Sequence, residues 1–314
     1  MHHPSSPKVY IVIVNWNGVS DTLECLKSLE NQDYPNVETV VVDNGSTDDS
    51  VKLIRNRFPD VFVIEAGENL GFTGGNNRGI IFSLENGADH VWLLNNDTIV
   101  DRDTLTHLVG AASASCKNGI VGSVIYDYED RSKIQFAGAT INWKKARSPH
   151  IYTIKQNSMF DVERVNGCSM LVSRRVCNEV GLFDDNYFLY AEEVDWCIRA
   201  RNNGFRCIME PHSKVYHKVS VSVNKVAGKN TVMRYYNTRN FLYLTDKLCP
   251  HKSKKTYIRK FIFKQIKKDT ANFIKLLLSS VLPVKLVTAQ ESPKLFAIKD
   301  YLCNNMGKTR FINK

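Results

Sequence analysis

Carboxylates and amides in this chain gather where apolar runs end, the position at which open α/β sheets place their ligands. Residues 91–94, Val-Trp-Leu-Leu, read as a strand buried on both faces, and the run breaks abruptly into Asn95, Asn96, Asp97 and Thr98. A strand-end Asp taken alone is usually a helix cap, and Thr98 or Asp101 would serve there too. Asp97 gains weight from similar stretches elsewhere. Asn15 and Asn17 follow the run at 9–14, Asp43-Asn44-Gly45-Ser46 follows 38–42, and Gly71-Phe72-Thr73-Gly74-Gly75-Asn76-Asn77 follows 61–64. Each is an ordinary turn by itself, but four in succession at strand ends point to one nucleotide-sized crevice. A further cluster is acidic: Glu192, Glu193 and Asp195 crowd into four positions behind an aromatic run at 187–190. Acids at the start of a helix and Arg199 and Arg201 near its end suit the helix dipole, which explains their order but not their crowding. His217 stands alone, and a lone histidine is more often structural than a ligand.

The elements that must position these groups follow from apolar spacing. Strands at 9–14, 38–42, 61–64 and 91–94 alternate with helices at 21–29, at about 46–58 behind a Ser46 or Thr47 cap, after the glycine-rich loop 69–77, and at 101–116. Such alternation predicts a parallel sheet wound in βαβ units with right-handed crossovers. Short strands at 120–126, 134–139 and 151–153 follow, then a strand from 165 running into a helix that ends near Val180 and Gly181. A helix over 187–201, strands at 205–208 and 214–217, and a helix at 231–248 carrying Arg234 and Arg239 complete a unit of about 250 residues. Its halves divide near residue 118. Beyond Pro250, lysines and arginines interleave with Tyr257, Ile258, Phe261, Phe263 and Ile266 over 251–314, a basic amphipathic pattern suited to an anionic surface or to packing on the domain.

Composition bounds these readings. The 314 residues are 43% hydrophobic and 24% charged, as expected of a soluble globular chain, and the formal net charge of +10 favours anionic partners. The eight cysteines are scattered without metal-ligand or paired spacing and read as reduced thiols. The first residues lack a charged n-region and an apolar h-region, and Lys275, Pro283 and Lys285 interrupt the apolar tract near 273–284 short of a membrane span. A cytoplasmic location is the expectation. No recognisable nucleic-acid motif accompanies the basic charge, so nucleic acid is not an expected partner.

In order and spacing, six stretches together resemble the inverting glycosyltransferases of family 2, and within them the bacterial rhamnosyltransferase-like subset. They are Ile13 to Asn17, Val41 to Ser46, Gly71 to Asn77, Leu94 to Asp97, Glu192 to Trp196, and His217. The resemblance covers residues 9 to about 241 and implies a GT-A fold: an α/β protein with a Rossmann-like, mostly parallel sheet flanked by helices, here with a helical basic extension. It implies that residues 8–118 bind nucleotide and 119–250 bind acceptor. Asp43 would accept a hydrogen bond from a uracil or thymine imide, while Asn15, Asn17, Asn96, Gly71, Gly74, Gly75, Asn76 and Asn77 would line the rest of the nucleotide. Asp97 matches the second acid of the family's Asp-x-Asp signature and His217 its later metal-binding histidine, which together imply Mg²⁺ or Mn²⁺.

Glu193 matches the base that deprotonates the acceptor hydroxyl, with Glu192 and Asp195 in contention. Arg234 and Arg239 are candidates to face the diphosphate or acceptor. Asn95 replaces the first acid of the signature and Asn76 an arginine, both usual in the rhamnosyltransferase-like subset. The donor expected is therefore a TDP- or UDP-linked sugar, rhamnose among the candidates. The acceptor expected is a glycan or lipid-linked hydroxyl in cell-surface polysaccharide synthesis, reached at the inner face of the plasma membrane. A sugar nucleotidyltransferase would carry a Gly- and Arg-rich loop where Asn15-Trp16-Asn17-Gly18 stands, and a non-catalytic binding module has no use for a base.

Overall fold

The computed structural model describes residues 6–154, 156–218, 229–281, 288 and 291–309. Its first half alternates β1 (Val9–Asn15), α1 (Val19–Leu29), β2 (Val37–Asp43), α2 (Ser50–Arg57), β3 (Phe62–Glu65), α3 (Gly71–Glu85) and β4 (His90–Leu94). The four strands are parallel in the order β3-β2-β1-β4, with Asn15 opposite Asp43, so their polar carboxyl ends lie along one edge. Val9, Val12, Ile13, Val40, Trp92 and Leu93 are wholly buried, as expected for strands covered on both faces.

Beyond β4 come β5 (Thr98–Val100), α4 (Thr104–Ser113), β6 (Asn118–Asp127), β7 (Ile134–Phe136), β8 (Phe160–Asp161), β9 (Ser169–Ser173), α5 (Arg174–Val180), α6 (Glu192–Asn202) and β10 (Arg206–His217). They extend the sheet as β4-β9-β6-β10-β5, in which β9 and β5 run antiparallel to their neighbours and β6 and β10 run parallel. Polar atoms in this core are paired: Trp92 Nε1 donates to Ser169 Oγ at 2.9 Å, and Ser169, Ser123 and Ser213 continue the chain through hydroxyls 2.8 and 2.7 Å apart.

Several local expectations change. The glycine-rich stretch from Gly71 is the first two turns of α3, not a loop, because a Cβ on Gly75 or Gly79 would meet Val14 Cγ1 at 2.9 Å or Val12 Cγ1 at 2.3 Å. Close helix-to-strand packing overrides poor helix propensity there. Helix α2 starts at Ser50 behind Asp49, since Ser46 is engaged elsewhere. Residues 187–191 are not helical: Phe188, Tyr190 and Ala191 have φ of 64°, 69° and 73°, and α6 begins only at Glu192. The stretch 151–153 forms no strand, only backbone bonds between Ile151 and residues 137 and 138. The two short strands expected at 205–208 and 214–217 are one strand, β10, with an irregularity between Glu210 and Lys214.

The basic extension forms α8 (Lys254–Lys268), α9 (Thr270–Val281) and α10 (Pro293–Leu302) after α7 (Lys229–Leu248). It is not detached from the domain. Leu242 of α7, Ile258 of α8, and Leu295 and Ile298 of α10 share one buried cluster, while Ala297 joins Phe188, Tyr235 and Tyr236 in another. Among the described residues no helix is long and apolar enough to cross a membrane. Residues 282–284 of the apolar tract lie outside the described residues.

Gly71 marks where the stretch before α6 presses on the start of α3. Its φ is +74°, and a Cβ there would lie 2.3 Å from the Phe188 carbonyl oxygen. Gly87 has a similar φ of +87° but open space around it. Gly71→Ala should therefore cost at least about 3 kcal/mol and Gly87→Ala only about 1–2 kcal/mol, as read by denaturant unfolding. Equal losses would show that the close approach at Gly71 contributes nothing.

Candidate active site

A chain of buried side chains ties the strand ends together. Asn96 Nδ2 donates to Thr22 Oγ1 at 3.0 Å, Thr22 donates to Asn15 Oδ1 at 2.7 Å, and Asn15 Nδ2 donates to Asp43 Oδ1 at 2.9 Å. Asp43 Oδ2 accepts the Ser46 amide at 3.0 Å. Asn44 holds the start of α3, accepting from Leu70 N at 3.0 Å and donating to the Gly71 carbonyl at 3.0 Å. Above this floor opens a crevice of about 330 Å³, whose lining includes Trp16, Asn44, Phe72, Asn76, Asn95, Asn96, Asp97, Phe188, Tyr190, Glu192, Glu193 and His217. Its size and mixed lining suit a small polar ligand.

Asp97 and His217 meet through β5. That strand pairs antiparallel with β10, Thr98 opposite His217, and the Lys218 amide donates to the Asp97 carbonyl at 3.0 Å. His217 Nε2 lies 3.2 Å from Asp97 Oδ1. On the other side of the ring, Nδ1 is 3.3 Å from Gln135 Oε1. The Gln135 amide donates to Asp127 Oδ2 at 3.0 Å and to the His217 carbonyl at 3.1 Å, which fixes its orientation and makes Nδ1 the donor. In the neutral ring the lone pair would then lie on Nε2, the atom nearest the Asp97 carboxylate. An oxygen and an imidazole nitrogen at this spacing suit adjacent ligands of a hard cation, which lie about 3 Å apart when bonds are about 2.1 Å. Among the described residues no group of three or more His, Cys, Asp or Glu could hold an ion unaided, so the remaining ligands would be waters or substrate oxygens.

The entry to α6 also borders the crevice, an N-terminus without a side-chain cap. Glu193 lines the crevice, and Arg164 Nη1 contacts its Oε1 at 2.5 Å. Arg164 is itself set by Ser148 Oγ at 2.9 Å from its Nε and by the Phe136 ring beneath it. Glu192 also borders the crevice but is buried, and its Oε2 has no hydrogen-bond partner among the described residues. Burial, then the neighbouring charge of Glu193, raises the Glu192 carboxyl well above the usual carboxylate range, so its protonated form is favoured.

Other expected site residues lie elsewhere. Asp195 is wholly buried, ion-paired to Arg199 at 2.5 Å and Lys247 at 2.8 Å, and accepts from the Tyr187 hydroxyl; it cannot act as the base from there. Arg239 is also wholly buried, against backbone carbonyls and the Tyr235 and Tyr236 rings, and does not face a diphosphate. Arg234 is exposed outside the crevice lining. Asn77 bonds Phe183 and Asp185, while Gly74 packs on Leu70 and Gly75 on Val14, so these three shape the wall from behind. Asn15, Asn17 and Asp43 stand just outside the lining; Asn17 accepts the Thr47 amide at 2.8 Å. Two residues that matter went unseen in the sequence: Gln135, inside the short strand expected at 134–139, and Arg164, in the connection just before the strand expected from 165.

Comparison with known proteins agrees with this architecture. The family model "Glycosyl transferase family 2" matches residues 10–181. The chain is 26% identical over 245 residues to a dTDP-rhamnosyl transferase, RfbF, of Shigella flexneri, covering 76% of this chain and 80% of that one. It is also 26% identical over 233 residues to an N-acetylglucosaminyl-diphospho-decaprenol L-rhamnosyltransferase of Mycobacterium tuberculosis, covering 67% and 75%. A low-salt glycan biosynthesis hexosyltransferase, Agl10, of Haloferax volcanii is 26% identical over 201 residues, and the match spans 61% of each chain. Among solved structures, a mannosyltransferase of Pyrobaculum calidifontis in complex with GDP-Man and Mn²⁺ superposes with a TM-score of 0.60 at 17% identity, covering 96% of this chain and 88% of that one. The sheet and its flanking helices are thus those of the GT-A fold, and the chain is a glycosyltransferase belonging to glycosyl transferase family 2.

Proposed function

We propose that this glycosyltransferase moves a sugar from a nucleoside diphosphate donor to an acceptor hydroxyl by a single displacement with inversion. The observation that carries the reading is one crevice lined by Asp97 and His217, 3.2 Å apart, and by Glu193. Inversion needs charge neutralisation at the leaving group and a base on the far side of the anomeric carbon. Asp97 and His217 would hold Mg²⁺ or Mn²⁺, which when bound supplies Lewis-acid stabilisation of the departing diphosphate. Arg164 engages one oxygen of Glu193, orients the carboxylate and leaves its second oxygen for the acceptor proton. Glu192, favoured in its neutral form, can donate a hydrogen bond to a sugar hydroxyl without adding a second charge beside Glu193. Asp43 keeps acceptor capacity for a base imide, because a carboxylate offers about four lone-pair sites. The names of the Shigella and Mycobacterium relatives support rhamnose as the sugar, and that of the Shigella relative supports thymine as the base.

The proposed acceptor is a glycan carried on lipid at the cytoplasmic face of the membrane, where α8 would attach. Phe263 is 69% exposed and stands among the exposed Arg259, Lys260, Lys264 and Lys267, while Ile274 and Leu278 of α9 are also exposed. Basic residues around an exposed aromatic suit an anionic interface.

Glu193→Gln should lower transfer by about 10²–10⁴-fold with donor affinity intact, whereas Glu192→Gln, isosteric with the neutral acid, should keep most of the rate. A near-normal rate for Glu193→Gln in a transfer assay would remove it as the base. Asp97→Ala should abolish cation-stimulated turnover, and Gln135→Leu should weaken apparent Mn²⁺ affinity by about 10–100-fold while excess Mn²⁺ restores the rate. A Gln135→Leu protein with unaltered Mn²⁺ titration would dissociate His217 from the cation. Replacing Lys260, Lys264 and Lys267 together with Ala should weaken sedimentation with phosphatidylglycerol vesicles by roughly 3 kcal/mol, on the order of a hundredfold. Unchanged sedimentation would place the attachment elsewhere.

A further inference from the structure

The stretch 186–191 runs directly into Glu192 and Glu193, and its side chains at 188, 189 and 190 line the crevice. Three of its residues, none a glycine, hold left-handed backbone conformations, the kind of strain that persists only where surrounding contacts impose it. Those contacts come mainly from two adjacent side chains of α7. Asn240 Nδ2 donates to the carbonyls of Tyr187, Leu189 and Tyr190 at 3.0, 2.8 and 2.7 Å. Arg239 Nη2 donates to the carbonyls of Asn186 and Tyr187 at 3.3 and 3.1 Å. Its Nε donates to Asn240 Oδ1 at 3.0 Å, which orients the amide. The Phe188 carbonyl accepts the Thr73 amide at 3.2 Å, so all five carbonyls from 186 to 190 are held.

The same guanidinium reaches the other way. Arg239 Nη1 donates to the Gly307 carbonyl at 2.8 Å and to that of Asn305 at 3.4 Å, and the Gly307 amide donates to the Asn186 carbonyl at 2.8 Å. The Thr309 amide donates to the Tyr236 hydroxyl at 3.0 Å, and the Tyr236 ring stacks on Phe188. Both Arg239 and Asn240 are 0% exposed. A buried guanidinium met by carbonyls and rings is a costly way to fill space, since an apolar side chain would avoid desolvating the charge. What it provides is a fork that fixes several carbonyls at once.

We infer that Arg239 and Asn240, braced by the returning segment 305–309, form a clamp that imposes the left-handed course of 186–191 and thereby sets where Glu193 stands in the crevice. Both are positioning residues acting through the loop, and the segment after α10 supports that loop from behind the crevice. The inference rests on Glu193 being the base.

The test compares Asn240→Ala and Arg239→Lys with Glu193→Gln in the full-length chain, reading donor affinity, kcat and KM for acceptor, and amide exchange by segment. The clamp predicts wild-type donor affinity, a kcat at least about tenfold lower, as a displacement near 1 Å would give, and faster exchange confined to 186–193. Wild-type kcat in either folded variant overturns it. Exchange that accelerates across the sheet with loss of donor binding also overturns it, because the pair would then be a general prop. If Glu193→Gln itself transfers at the wild-type rate, the base assignment fails, and the clamp stands or falls on whether exchange at 186–193 changes alone.

Discussion

The pairing of three residues, Thr98 to Val100, with the end of β10 is the constraint on which the rest of the site depends. Asp97 immediately precedes β5 and His217 ends β10, so the ladder brings together two side chains 120 positions apart in the chain. Without that register the strand-end Asp would be one more polar turn. With it, the carboxylate lies 3.2 Å from an imidazole nitrogen whose ring is held at its other nitrogen by Gln135. The sheet extends the same logic, since β10 is held parallel to β6 and through β9 to β4, the strand that delivers Asp97.

Charge is distributed unevenly around the crevice. At the ends of the parallel strands, amides and hydroxyls carry the polar chain from Asn96 to Asp43, and every link is satisfied internally. At the entry to α6, two adjacent glutamates follow a strained loop, one held by Arg164 and the other buried, its carboxyl raised well above the usual range by that burial. Their environments differ: burial raises the Glu192 carboxyl, while Arg164 pairs with Glu193. The strain at 188, 190 and 191 is stored beside these groups and is offset by contacts from α7.

Much of this was legible in the sequence. Parallel strands that end at or just before Asn15, Asp43 and Asp97 follow from apolar runs broken by polar residues, and the family likeness singled out His217 and Glu193, which line the same crevice as Asp97. What escaped depends on non-local contacts. A three-residue strand such as β5 has no periodicity to detect, and its pairing partner lies more than a hundred residues away. Gly71 to Asn77 reads as a loop by propensity, and only the approach of Val12 and Val14 shows why the glycines belong in a helix. Asp195 and Arg239 carry the charge expected of site residues, but ion pairs and carbonyls consume them inside the fold. Gln135 and Arg164 act through other side chains, which leaves no trace in local spacing.

The central claim is that Asp97 and His217 hold the cation that meets the donor diphosphate, opposite Glu193. The most direct measurement is a crystal structure with thymidine diphosphate and Mn²⁺, with the metal located by its anomalous scattering. The account predicts a peak bonded to Asp97 and His217 and to diphosphate oxygens, with the open side of the crevice leading to Glu193. A nucleotide seated away from this crevice, or a peak that touches neither Asp97 nor His217, would contradict it.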